Sequence, residues 1–392
     1  MWFVLGDRET HFGGWALLDR EEGDRALERA IALAPRTGGT EPYLHLIQHA
    51  LADADSARAA RLLDAFQGIT RGAVTQDYIA ALPLAFAIGF GDSVTQAETR
   101  AALDTVPTGR LVHALSLLGN PRLHGVIEEA LQVALARSDN QNGVETLGIL
   151  YSRGNLRAAL DFTNDPLTPP GFRADWIYRL YHVGSNLPRE DLERILAAGA
   201  ADTSGGALPS SYLWLGAYAV DRGQWDEYAA AIDRTRSRAQ YWQSEGNLIL
   251  AQQYEIITRA LEGYALWKRG QKAEAIRVLE AAQREYDGGE SHRGVPWFSP
   301  NVTVRWWLGD LMLEVGRPRD AERYFKSISA DPFAALRLAR VYENLGEFEK
   351  ARSSYEYALL SWHDADPELQ PRIQEARSGL ARLPKPLRLE RP

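Results

Sequence analysis

The chain has 392 residues, 45% hydrophobic and 24% charged, a balance that supports a sizeable core and excludes a largely disordered protein. A net charge of −8 without a block of basic residues excludes a surface built to track nucleic-acid phosphates. The absence of cysteine excludes disulfide frameworks, thiolate metal sites and cysteine nucleophiles.

At the start, MWFVLGDRETHFGGW has too few apolar residues for a signal-peptide core, and no later stretch reaches about 18 uninterrupted apolar residues. Trp2, Leu5 and Gly6 already read as the middle of a repeat's first helix with no capping turn before them. That pattern points to a fragment, or to a start site inside a longer ancestral gene.

From there the chain reads as helix pairs. YLHLIQHALADADSARAARLLDAF places Tyr43, Leu46, Ile47, Ala50, Ala59, Leu63 and Phe66 on helical stripes, and LPLAFAIGFGDSVTQAETRAAL does so with Leu84, Ala85, Ile88 and Ala97. LGILYSRGNLRAALDF, around Gly154 and Ala159, fits with a one-residue slip. GAADTSGGALPSS at 199–211 is a Gly/Ser/Pro run read as a joint between two superhelical segments. Beyond it, LWLGAYAVDRGQWDEYAAAI and GYALWKRGQKAEAIRVLEAA repeat the pattern through Gly216, Gly223, Gly263, Gly270 and Ala275. YDGGESHRGVPWFSP at 286–300 reads as an elongated connector anchored by Trp297 and Phe298.

The clearest copies come next. WWLGDLMLEVGRPRDAERYFKSI and LRLARVYENLGEFEKARSSYEYA pair Leu308 with Leu338, Gly309 with Ala339, Gly316 with Gly346, Ala321 with Ala351 and Phe325 with Tyr355, each thirty positions apart. Ala335, Leu338, Ala339 and Tyr342 form one amphipathic stripe, Gly346 stands where a helix end takes a left-handed residue, and Phe348, Ala351, Tyr355 and Ala358 form the return stripe. Ala339 and Ala351 are small because helix axes approach to about 8–10 Å only where a side chain is little more than a methyl group. Trp306 and Trp307 are adjacent on one helix, so only one of them can face the core. Asp366 and Pro367 read as the N-cap and first position of a last helix, whose stripe is Ile373, Ala376, Leu380 and Leu383. One apolar edge and a charged back suit the open end of a solenoid.

A two-helix unit with small residues at the crossing and aromatics around them resembles the tetratricopeptide repeat, whose usual length is 34 residues. The two ends of the chain, from LGDRETHFGGW to LLDAF and from PWFSPNV to GLARL, are similar to the C-terminal repeat region of certain bacterial serine/threonine protein kinases and related signalling regulators. The glycine-rich loop, H-R-D and D-F-G of the kinase domain are missing, and GFGDS at 89–93 sits at a helix turn, so the resemblance implies a regulatory role without kinase activity. It also implies a partner groove on the concave face made by successive first helices, which in this sequence comprises Trp306, Asp310, Leu313, Arg340 and Glu343. The clamp for chaperone tails needs Lys and Asn at such places, so that partner is not expected.

His45 and His49, four apart in HLIQH with Asp53 one turn on, form a conceivable metal face, but no Glu completes an H-E-x-x-H arrangement and none is assigned as a ligand. No G-x-S-x-G elbow or triad signature is present. The expectation is an all-α protein, an α-solenoid of antiparallel helix hairpins wound as a right-handed superhelix, in segments 1–200 and 206–392. It would act without catalysis, cofactor or metal as a protein- or peptide-binding adaptor or sensor in bacterial signalling or transcriptional regulation, with a kinase or transcription regulator as partner. Its compartment would be the cytoplasm, or the cell exterior if the repeats derive from a membrane-anchored kinase. The rival is a helical toroid acting on carbohydrates, which needs two carboxylates about 5–10 Å apart in one aromatic-lined pocket.

Overall fold

A computed structural model describes residues 20–33, 41–69, 77–118, 120, 123, 126–137, 143–163, 170–183, 189–201, 209–288, 300–328 and 331–384. Trp2, Leu5, Gly6, Trp297, Phe298, the centre of the 199–211 run and the tail after residue 384 lie outside them. Among the described residues there is no strand; there are twenty α-helices. The first seven are α1 (Arg20–Leu33), α2 (Glu41–Ala52), α3 (Ser56–Ile69), α4 (Asp77–Phe90), α5 (Ser93–Ala102), α6 (Thr108–Ser116) and α7 (Ile127–Arg137). Then come α8 (Gly143–Arg153), α9 (Leu156–Thr163), α10 (Pro170–Val183), α11 (Arg189–Ala201), α12 (Pro209–Asp221), α13 (Trp225–Ser244) and α14 (Leu248–Lys268). The last six are α15 (Lys272–Gly288), α16 (Pro300–Glu314), α17 (Pro318–Lys326), α18 (Pro332–Leu345), α19 (Phe348–Ser361) and α20 (Gln370–Arg382). Consecutive helices pack as antiparallel hairpins, each stacked on the next, so the chain is an α-solenoid.

The hairpin at α18–α19 shows how the sequence builds the unit. Asp331 caps α18 by accepting from Phe333 N–H at 2.7 Å, and Pro332 occupies the first turn, where its missing N–H costs nothing. Leu338, Ala339 and Tyr342 are buried, as their spacing predicts. Gly346 ends the helix at φ 72°, while its N–H and that of Glu347 bond back to Glu343 and Tyr342 carbonyls. The same pair of bonds closes the turns at Gly154, Gly223, Gly270 and Gly316. On α19, Ala351, Tyr355 and Ala358 are buried, but Phe348 is 40% exposed. The sequence places Phe348 on the inner stripe; as the first residue of its helix it lies beyond the reach of the facing one.

The small-residue rule holds geometrically. A Cβ on Gly309 would stand 2.5 Å from Phe325 Cζ, so the α16–α17 crossing admits only glycine without a shift. Trp307 is buried and stacks on Tyr264 at 4.1 Å, whereas Trp306 is half-buried and meets Phe325 edge-on, the partition their adjacency requires.

Buried apolar side chains form two large clusters, one from Tyr43 to Ile149 and one from Leu147 to Leu383. The second has members on both sides of residues 202–208 and joins elements far apart in sequence. Asp366 does not cap the last helix. A 3-10 turn at Pro367–Leu369 intervenes, and the Asp366 carboxylate instead accepts from Arg157 N–H at 2.8 Å, capping α9 across a separation of 209 residues. Asp366 N–H donates to Gly154 O at 3.0 Å, and Arg157 Nε donates to Glu368 at 2.9 Å. Gly154 permits this approach, since a Cβ there would lie 2.5 Å from Leu369 and 2.7 Å from Ala365. The solenoid from α8 to α20 therefore closes on itself, with its first helices turned inward.

Candidate functional site

The inward faces of α8, α10, α12, α16, α18 and α20 surround a lumen with about 620 Å³ of empty space, part of it continuous with solvent. Its walls are aromatic because α8, α10, α12, α16 and α18 each contribute a large ring. Tyr151 of α8 packs against Phe333 of α18 at 5.0 Å, the aromatic counterpart of the Asp366 closure. Tyr178 of α10 stacks on Trp214 of α12 at 4.7 Å and, on its other side, on His182.

Polar groups stand among these rings. Asp221 accepts from Tyr264 OH at 2.6 Å, with Tyr178 OH and Lys268 Nζ each 3.5 Å away. Burial, and then the neighbouring Asp221 charge, push the Tyr178 phenol far above its ordinary range; Tyr264 is pushed up by burial, Tyr178 and Asp221 in that order. Both stay protonated donors. His182 is held below its ordinary value by burial and by the Arg337 and Lys268 charges, against the pull of Asp221 and Asp310. It is nevertheless open to solvent, as befits a side chain in the wall of a lumen with protein on all sides.

The arginines are more organised. Arg337 Nε donates to Asp310 at 2.7 Å while its guanidinium stands 4.5 Å over the Trp306 ring. Arg179 and Arg372 line the same cavity, and Arg372 lies 3.5 Å from Glu375. Asp331 is the one carboxylate lining it among the described residues. Burial pushes its carboxyl up to about 6 despite the Phe333 N–H bond and the charges of Arg179 and Arg337.

Of the groove read from sequence, Trp306 lines the lumen, and Asp310 is joined to it through Arg337. Leu313 packs partly buried against the core. Arg340 and Glu343 lie at the α18–α20 junction, where Arg340 pairs with Glu375, and Glu343 holds Arg382 at 3.1 Å and accepts from Tyr355 OH. The thirty-residue offset aligns Asp310 with Arg340, yet Asp310 meets Arg337, 27 positions on. Equivalent positions on stacked helices are displaced by about one turn, and a search one turn N-terminal of the aligned residue would have found Arg337. Tyr178, Arg179, His182 and Trp214 carry no sequence signal of their own, because the middle hairpins show the repeat only faintly.

His49 bonds Asp24 at 2.5 Å, and Arg58 reaches the same carboxylate at 2.8 Å. Burial raises the Asp24 pKa, but His49 and Arg58 outweigh it and hold that group below its ordinary value. His45 is buried beside Gln48. Among the described residues, no three His, Cys, Asp or Glu gather as metal ligands, and no helix is long and apolar enough to cross a membrane.

Residues 334–360, which are most of α18 and of α19, match the tetratricopeptide repeat family. No curated protein matches the chain. Among solved structures, the TPR domain of P58(IPK) aligns at 14% identity over 97% of this chain and 95% of that one, with a TM-score of 0.26. A circular tandem repeat protein with novel repeat topology aligns at 14% identity over 97% and 85%, with a TM-score of 0.18. Scores this low carry no structural argument. What the family match supports is local: the chain carries a tetratricopeptide repeat at 334–360, in an array of hairpins whose turns close in the same way.

Proposed function

We propose that this protein is a non-catalytic peptide- or protein-binding module that holds its partner in the lumen. The observation that carries this reading is the joining of Asp310, Arg337 and Trp306 on an aromatic inner wall. Rigid first helices present a fixed row of side chains there, so apolar platforms supply contact area and a few preset polar groups supply orientation. A carbohydrate-active toroid would need a carboxylate pair free for acid/base work. Asp331, the lumen's carboxylate, is committed as a helix cap.

The setting we propose is bacterial signalling or transcriptional regulation, as an adaptor or sensor for a kinase or transcription regulator in the cytoplasm. Its support is the similarity of the two chain ends to the repeat regions of kinase-linked regulators. The test is affinity capture from the source cell's lysate with the wild type and with a Trp306→Ala, Arg337→Ala variant of matched melting temperature. Proteins held by the wild type and lost by the variant are expected. Equal recovery by both would remove the lumen from the account.

A further inference from the structure

The polar groups of the lumen narrow the chemistry of its occupant, an inference that rests on the peptide-binding reading above. Three arginines, Arg179, Arg337 and Arg372, line the cavity from α10, α18 and α20, with His182 in the same wall, against the single carboxylate of Asp331. Over the whole chain the balance is opposite, with 52 acidic residues against 44 Lys and Arg. Asp310 on Arg337 and Glu375 beside Arg372 offset part of that charge, and what the cavity keeps is a set of guanidinium groups in its wall. Arginine, moreover, presents a planar fork that matches a carboxylate in two parallel hydrogen bonds.

Arg337 is set in advance for such a contact. Asp310 takes Nε, and the Trp306 ring supports the guanidinium face, so the side chain has little freedom left to lose. Its two terminal amino groups carry four further N–H donors. Trp306, half-buried in the same wall, offers an apolar surface beside that fork.

We propose that the lumen takes an extended peptide segment in which a carboxylate stands beside an aromatic or large aliphatic side chain. The carboxylate meets the arginine-lined wall, and the apolar side chain lies on Trp306. A basic segment is repelled there. A neutral one gives the terminal N–H donors of Arg337 no carboxylate to meet.

The test is selection from a random nonapeptide library with free C-termini, using the full chain, followed by resynthesis of the enriched sequences for fluorescence anisotropy. The expected result is enrichment of Asp or Glu next to Phe, Tyr, Trp or Leu, with binding about tenfold weaker when the acid is replaced by its amide. The double variant Arg337→Gln, Arg372→Gln should lose a similar factor, and Arg337→Lys, which keeps charge but not the fork, should fall between. Should those variants melt early, the salt dependence of wild-type binding reads the same charge contact, and affinity should fall as salt rises. Comparing free and amidated C-termini distinguishes a terminal carboxylate from an acidic side chain. Enriched peptides that are neutral or basic, bound equally by all variants, would overturn this inference and leave peptide binding intact. No enrichment, or binding of an oligo(dT) strand instead, would overturn both.

Discussion

Asp331 shows how one side chain serves both the fold and the site. It caps α18 through Phe333 N–H, and the burial that this position imposes raises its pKa from the ordinary 3.8 to about 6. A carboxyl whose folded pKa is raised binds more protons in the folded than in the unfolded chain between those values, so stability falls as pH rises through that window and the cost is fully present above about 6. Asparagine caps a helix as well as aspartate but does not titrate. Asp331→Asn should therefore gain on the wild type in urea midpoint as pH goes from 4 to 7, and a difference that stays constant across that range would refute the account of Asp331. Residue-scale reading from sequence succeeded where one helix settles the matter, as with Trp306 and Trp307. It missed Arg337 and Arg372 because their roles depend on which helices meet across the lumen.

At the scale of elements, the turn between helices of a pair is the most regular feature, and it was legible from Gly316 and Gly346 alone. One hairpin keeps its bonds without its glycine. Between α2 and α3 the left-handed position is held by Ala54 at φ 58°, with the same two closing bonds, from Ala54 N–H to Leu51 O and Asp55 N–H to Ala50 O. That conformation costs alanine about 1–2 kcal/mol, and the greater freedom of glycine in the unfolded chain offsets roughly 0.4–1 kcal/mol of what glycine would recover. Ala54→Gly should stabilise the protein by roughly 0.5–1 kcal/mol, read as a raised urea midpoint; an unchanged or lowered midpoint would mean that the turn relaxes without strain. Helix existence followed from periodicity in the same way. Helix ends did not, since Phe348 and Asp366 sit at boundaries where the neighbouring element decides which way a side chain turns.

At the scale of the whole molecule, the feature that sequence left invisible is closure. The pairing of Asp366 with Arg157 and Gly154 joins segments 209 residues apart, and no local periodicity encodes such a contact. It has a physical logic nonetheless: Asp366 supplies the acceptor that the first turn of α9 needs, and Glu368, with a side chain only 5% exposed, is paired by Arg157. Closure brings Tyr151 to Phe333 and so completes the lumen wall. The site exists only if the ends meet. Because the chain contains no cysteine, two can be introduced and spin-labelled without background, at Ala158 and Gln370, which are exposed on either side of the junction. The most direct measurement is the distance distribution between those labels by double electron–electron resonance. The account predicts a single short, narrow distribution that broadens in Asp366→Ala. A long or broad distribution in the wild type would mean an open solenoid, and with it the lumen, its arginines and the proposed binding mode would fall.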